Sequence, residues 1–162
     1  MTDMAKLKIL KEGDETLRKH SREVDAITPR ILRLLDDMRE TLHEANGVGL
    51  AAPQVGVLRR VVLVEVEEGK TIELINPKII AFSGEQKESE GCLSIPGKMG
   101  IVCRPACVTV KALDRYGEEQ TYRGTELLAR AFCHEIDHLD GILYPDKAER
   151  MLSKKEIEEL SR

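Results

Sequence analysis

Thr125-Glu-Leu-Leu-Ala-Arg-Ala-Phe-Cys-His-Glu-Ile-Asp-His-Leu139 is the stretch around which this chain is organised, because its pattern predicts a helix with one apolar face. Asp140-Gly141 comes directly after it and supplies a helix stop. At about 100° per residue, the apolar side chains fall on one arc of the predicted helix: Leu127, Leu128, Ala131, Phe132 and Leu139. An arc of this kind predicts a helix that packs against other elements in a core.

The same helix carries a complete H-E-x-x-H pattern at residues 134–138. Residues four apart differ by about 40° around a helix axis, so His134 and His138 leave one face and can meet one cation. Glu135 falls inside the apolar arc, where a carboxylate needs a charged or hydrogen-bonded partner such as a metal-bound water. The pattern therefore favours a metal site at which Glu135 takes and returns a proton.

A catalytic metal held by two histidines needs a further protein ligand. Upstream, Glu90-Gly-Cys-Leu-Ser94 offers the thiol of Cys92, and downstream Glu149 stands in a predicted loop among charged residues. The helical wheel places Cys133, Asp137 and Asp140 on the polar side, outside the site. Cys92 is therefore the best candidate for the third ligand.

Two further helices are predicted from their caps. Thr28 as N-cap and Pro29 at the first helical position begin a helix that ends at Asn46-Gly47, with His43 in its last turn. Ser153-Lys-Lys-Glu156 predicts the cap of a short C-terminal helix.

Runs rich in β-branched residues predict antiparallel strands between these helices. Residues 60–67 and 71–75 flank a turn at Glu68-Gly69-Lys70. Residues 107–113 and a strand near 120–122 flank a second turn at 114–117, and Cys103 and Cys107 are expected to pack within such strands. Helices that flank a strand-rich middle predict an α+β fold.

Composition narrows the classes of protein that this chain can belong to. Its 162 residues, which fit a single domain over 1–162, carry 25 Lys and Arg against 29 Asp and Glu, a net charge of −4. No basic stripe indicates nucleic-acid or anionic-lipid binding, and no apolar run approaches a membrane span. The charged start lacks a signal-peptide core, so we expect a cytoplasmic protein whose four cysteines are free thiols or metal ligands.

Three blocks, in this order, closely resemble the signature motifs of bacterial peptide deformylases: Gly47-Val-Gly-Leu-Ala-Ala-Pro-Gln54, Glu90-Gly-Cys-Leu-Ser94 and His134-Glu-Ile-Asp-His138. The first block also matches the dinucleotide pattern G-x-G-x-x-A. That pattern must follow a strand and open a helix, whereas here a helix precedes it and Pro53 interrupts the segment after it. The chain departs from the family pattern at Glu88, Gly97-Lys98-Met99 and Cys133.

The resemblance implies a metal-dependent hydrolase that removes the formyl group from the N-terminal formyl-methionine of newly synthesised proteins and releases formate. It implies a metal held by three side chains: Cys92, His134 and His138. Metal-bound water would be the nucleophile, and Glu135 the general base and then acid. Gln54 and the backbone N–H of Leu93 would stabilise the oxyanion.

By the same resemblance, five residues bind the substrate: Val48, Gly49, Gly91, Leu127 and Ala131. Iron(II) is the metal that the resemblance implies, although a thiolate and two imidazoles also suit Zn²⁺, Ni²⁺ and Co²⁺. The partners that it implies are formyl-methionine nascent peptides, and it allows a transient contact with the ribosome. We expect antiparallel sheets packed around a central metal-binding helix.

Two other functions are suggested by parts of the pattern. H-E-x-x-H alone is also typical of zincin-type endopeptidases. The third hypothesis is a non-catalytic protein, in which Cys92, the two histidines and a fourth protein ligand bind a structural zinc ion.

Overall fold

The computed structural model describes residues 6–161, which form α-helices and two antiparallel sheets. The α-helices are α1 (Pro29–Ala45), α2 (Glu126–Leu139) and α3 (Lys154–Leu160). The strands are β1 (Gly49–Ala51), β2 (Val61–Val64), β3 (Ile72–Ser83), β4 (Gln86–Cys92), β5 (Ile95–Arg104), β6 (Cys107–Leu113), β7 (Glu119–Thr125) and β8 (Ala148–Met151). Short 3₁₀ helices lie at Glu15–Arg18, Ala52–Val55 and Tyr144–Asp146.

The three predicted helices are confirmed at their ends. The Thr28 side chain accepts a hydrogen bond from the Ile31 N–H, and Asn46 ends α1 in the left-handed conformation with φ of 54°. Ser153 caps α3 through the N–H of Glu156, whose side chain accepts from the Ser153 N–H.

The larger sheet contains five antiparallel strands in the order β1-β2-β3-β6-β7. Both predicted hairpins are confirmed: β2 pairs with β3 across Gly69, and β6 pairs with β7 across Gly117. These two glycines have φ of 83° and 78°, a conformation that a side chain disfavours. β3 is longer than predicted and continues to Ser83 as the partner of β6.

The smaller sheet, in the order β4-β5-β8, was not predicted. β4 reads Gln-Lys-Glu-Ser-Glu-Gly-Cys and β8 reads Ala-Glu-Arg-Met, so neither strand has the apolar alternation that marks a half-buried strand. The prediction that Glu149 lies in a loop was wrong, because it is part of β8. Its carboxylate forms an ion pair with Lys87 of β4 at 3.0 Å and is half exposed.

α2 lies between the two sheets. Most of its apolar residues pack on the larger sheet, but Leu127, predicted in the same arc, is exposed. One core cluster joins helix and strand residues: Val62, Val64, Leu74, Val108, Val110, Ala129, Phe132, Ile136 and Leu139. The predicted polar side of α2 is largely covered, so the expected polar surroundings of Cys133 and the expected solvation of Asp137 were wrong. Cys133 is 6% exposed and belongs to the cluster, while Asp137 forms an ion pair with Arg104 of β5 at 2.7 Å.

The α+β fold class is therefore confirmed, with two antiparallel sheets packed around α2 and with α1 and α3 as the flanking helices. All four cysteines are free thiols, and Cys103 and Cys107 lie in β5 and β6. Within residues 6–161, no helix is both long and apolar enough to cross a membrane.

Candidate metal centre

Three side chains from two elements converge on one point. Cys92 is the last residue of β4, and His134 and His138 are one turn apart on α2. The thiol and the ring nitrogens of these residues lie within 4.8 Å of one another, and Cys92 Sγ is 3.4 Å from His138 Nε2. The α2 spacing and the end of β4 thus bring together the three residues that the sequence singled out.

The donor set fits a borderline-soft divalent metal, because it combines one thiol with two imidazoles. Burial lowers the pKa of His138 well below its usual value, which leaves a neutral ring with a lone pair. The buried Nδ1 atom of His138 has no hydrogen-bond partner among the described residues. Its Nε2 atom faces Cys92.

Glu135 lies against the same point, and its side chain is buried, as the helical wheel predicted. Burial raises the pKa of Glu135 to about 7, against the lowering effect of His134. Its Oε2 atom is 3.9 Å from His134 Nε2, and its buried Oε1 atom has no partner in the described part of the chain. A carboxylate with such a pKa can both accept and return a proton near neutral pH.

Glu90 anchors His134 from behind, a role that the sequence did not reveal. Its Oε1 atom is 2.9 Å from His134 Nδ1, and its carboxylate also accepts hydrogen bonds from Arg104 and Arg130. Burial raises the pKa of Glu90, but the bonds from Arg104 and His134 outweigh it and lower that pKa to about 2. The contact of Glu90 with His134 Nδ1 orients the ring so that Nε2 faces the site.

We predict that Glu90→Gln weakens metal retention about 10- to 100-fold, because an amide is a poorer acceptor for the His134 Nδ1 proton and leaves two buried arginines without their carboxylate. Equilibrium metal binding against a competing chelator measures the loss. Glu88→Gln, on an exposed position of the same strand, is the matched control. Equal retention in Glu90→Gln and Glu88→Gln would contradict the anchoring role.

Gln54 and Leu93 lie beside the same centre. The Gln54 carbonyl oxygen accepts from the Ala51 N–H at 2.9 Å, which orients the amide group. Gln54 Nε2 then donates to Ser94 Oγ at 3.0 Å and lies 3.6 Å from Cys92 Sγ. An amide N–H is therefore held at the edge of the metal centre.

A cavity of about 420 Å³ opens onto these groups. It is lined by all five residues predicted to bind the substrate, namely Val48, Gly49, Gly91, Leu127 and Ala131, together with Gln54, Cys92, Leu93, His134 and Glu135. Gly49 comes so close to Glu135 that a Cβ atom there would lie 2.5 Å from Oε2. Only a glycine leaves room for the carboxylate at this point.

Comparisons with known proteins identify one family. The polypeptide deformylase family model matches residues 6–154. A peptide deformylase of Acetivibrio thermocellus is 61% identical over 150 residues, which cover 93% of this chain and 88% of that protein. The crystal structure of a peptide deformylase from Legionella pneumophila is 38% identical, with a TM-score of 0.86, and the match covers 97% and 98% of the two chains.

A third relative was crystallised with a peptide. It is the Met-Ala-Ser-bound class I type b peptide deformylase of Acinetobacter baumannii, which is 34% identical with a TM-score of 0.85 over 90% of this chain and 99% of that one. These relatives favour a metal-dependent enzyme that removes the N-formyl group from peptides over the two other hypotheses, a zincin-type endopeptidase and a structural zinc protein. The chain belongs to the polypeptide deformylase family.

Proposed function

We propose that residues 1–162 form one catalytic domain that hydrolyses the N-formyl group of formyl-methionine on newly synthesised proteins in the cytoplasm, with iron(II) as the native metal. The observation that carries the proposal is the convergence of Cys92, His134 and His138 beside the buried carboxylate of Glu135. Met-Ala-Ser, the peptide bound to the Acinetobacter relative, is the product that deformylation of formyl-Met-Ala-Ser would leave.

Cys92, His134 and His138 would hold the metal. A bound divalent cation supplies a Lewis acid that lowers the pKa of water and polarises a carbonyl group. Zn²⁺, Ni²⁺ or Co²⁺ could occupy the same donor set, since a thiolate and two imidazoles accept each of them.

Glu135 would act as general base and then as general acid. Its carboxylate takes a proton from the water that attacks the formyl carbon. When the C–N bond breaks, the same group returns that proton to the leaving amine, so the products are formate and the free amine of the peptide. The buried position and the raised pKa of Glu135 suit both transfers.

Gln54 and the backbone N–H of Leu93 would stabilise the negative charge on the formyl oxygen as its carbon becomes tetrahedral. The bond from Ala51 to the Gln54 carbonyl oxygen fixes which end of the amide faces the site. This orientation is set before the substrate binds, which is the condition under which such a donor contributes most.

We predict that Gln54→Ala lowers kcat about 100- to 1000-fold with a much smaller change in KM, because the lost donor acts chiefly on the transition state. Steady-state kinetics with formyl-Met-Ala-Ser and the metal content of the same sample measure both quantities. A rise in KM with kcat unchanged would instead assign Gln54 to ground-state binding.

Methionine would enter the cavity beside Val48, Leu127 and Ala131, and the peptide backbone would run beside Gly49 and Gly91 in the manner of an added strand. Contact with the ribosome would be transient.

To test the metal, protein purified anaerobically is loaded in turn with Fe²⁺, Ni²⁺ and Zn²⁺, and formate release is measured. The metal content of protein isolated from its own cells is also measured. We expect iron(II) in that protein and turnover by the Fe²⁺-loaded sample. A different resident metal, together with an inactive Fe²⁺ form, would contradict the proposal.

A further inference from the structure

A second cavity adjoins the one that contains the metal centre. It has a volume of about 330 Å³ and lies beside the 3₁₀ helix before β8 and the C-terminal end of that strand. Its lining residues are Glu12, Ile95, Lys98, Pro145, Met151 and Leu152. Ile95 and Lys98 line both cavities, so these two residues form the border between them.

Lys98 differs from the other charged residues of the main cavity. Glu90, Arg130 and Glu135 are each buried to 95% or more, and Glu90 and Arg130 are paired with each other. Lys98 is exposed, and it forms no ion pair with any residue in the described range 6–161. Among the described residues that line the main cavity, Lys98 is therefore the one exposed cation without an ion pair.

The backbone places Lys98 close to the expected path of the peptide. Gly97 turns the chain with φ of 78°, and the pairing of β4 with β5 shifts register between Glu90 and Cys92. In this irregular stretch the Lys98 carbonyl oxygen lies 3.5 Å from the position of a Cβ on Gly91. A peptide that runs beside Gly91 thus brings the residues after its methionine toward Lys98.

We infer that Lys98 is a specificity-determining residue that favours substrates with an acidic side chain at one of the two positions following formyl-methionine. This inference rests on the proposed function, since it concerns how the same site sorts its formylated peptides. Glu12 lines the second cavity but not the main one, so of these two charged residues only Lys98 lines the cavity proposed to hold the peptide. A basic side chain at that position meets a like charge and is disfavoured.

The expected selectivity is modest, because Lys98 is exposed and water screens its charge. An exposed ion pair typically changes an equilibrium constant or a rate ratio by roughly two- to fivefold. The preference is also expected to weaken as salt is added from about 0.01 to 0.5 M, since the Debye length falls through this range.

The test compares isosteric peptides with amidated C-termini: formyl-Met-Asp-Ser against formyl-Met-Asn-Ser, and formyl-Met-Ala-Asp against formyl-Met-Ala-Asn. The quantity measured is the Asp/Asn ratio of kcat/KM at low salt. Relative to the unmodified protein, Lys98→Gln is expected to lower this ratio about two- to fivefold at one of the two positions, and Lys98→Glu to lower it further. Lys78→Gln removes the same charge from an exposed position on β3, in the larger sheet, and is the matched control.

An unchanged ratio at both positions in Lys98→Gln would overturn the inference, as would an equal drop in Lys78→Gln. The second outcome would assign the effect to net charge rather than to this residue. Failure of the proposed function has a different signature, because the neutral peptide formyl-Met-Ala-Ser would then yield no formate with any variant. Turnover of that peptide by the unmodified protein and by Lys78→Gln keeps the two questions separate.

Discussion

Glu135→Gln is expected to lower the rate of formate release about 100- to 10,000-fold while the protein keeps its metal and its fold. Glutamine has nearly the shape of glutamate, so it fills the space that Gly49 leaves open without a clash. It cannot take a proton from water or return one to the amine. The loss therefore falls on the chemical step, and metal content and melting temperature report that the rest of the site is intact.

Glu149→Gln is the matched control for this variant, since Glu149 is half exposed on β8 and, within residues 6–161, pairs only with Lys87. It should leave turnover within about twofold of the unmodified protein. Turnover by Glu135→Gln at a similar rate, with metal bound, would contradict the assignment of Glu135 as the group that moves the proton.

Cys92→Ser is expected to weaken metal retention by more than about 100-fold, a larger loss than the 10- to 100-fold typical of residues behind the ligands. A serine hydroxyl stays protonated near neutral pH and is a much poorer ligand than a thiolate for a borderline-soft metal. Dialysis against a chelator of known affinity, followed by metal analysis, measures the retention. Activity should fall in parallel and return in part when excess metal is supplied.

Cys133→Ser provides the comparison, because Cys133 precedes the first histidine in sequence yet belongs to the core between α2 and the larger sheet. Burial raises the pKa of its thiol to about 11, so it stays protonated. This variant should lose some stability, since a buried hydroxyl needs a hydrogen-bond partner, but it should retain metal like the unmodified protein. Equal metal loss in both variants would remove the distinction between Cys92 and Cys133.

Local signals were sufficient to predict much of the fold. The Thr28 and Ser153 caps and the apolar arc of α2 gave the three helices, and turn residues such as Gly69 gave two hairpins of the larger sheet. The smaller sheet gave no such signal, because β4 and β8 are rich in charged residues and β5 contains Pro96, Gly97 and Gly100. Its strands are defined by pairing with each other rather than by their own apolar pattern.

That missing sheet explains the error on Asp137 of α2. The helical wheel placed Glu135 correctly, because Gly49 of β1 in the larger sheet packs against its buried carboxylate. It treated the opposite side as solvent-facing, whereas β5 brings Arg104 to Asp137 on that side. A wheel describes one helix and carries no information on how many neighbours cover it.

Only part of the candidate site could be predicted from the sequence. Its directly converging residues lie in short motifs and could be named from sequence. The support behind His134 could not, since Glu90 meets Arg104 and Arg130 from 14 and 40 residues away. A glutamate two residues before Cys92 was the only local hint, and nothing in its surroundings reveals that two arginines bury it.

Deformylase activity is tested most sharply by the fate of formyl-Met-Ala-Ser with protein purified anaerobically and loaded with Fe²⁺. Formate and peptide fragments are quantified in the same reaction. We expect formate and intact Met-Ala-Ser in equal amounts, with no comparable cleavage of the amide bonds of unformylated Met-Ala-Ser. Faster cleavage of those amide bonds, or no formate from metal-loaded folded protein, would contradict the proposed function.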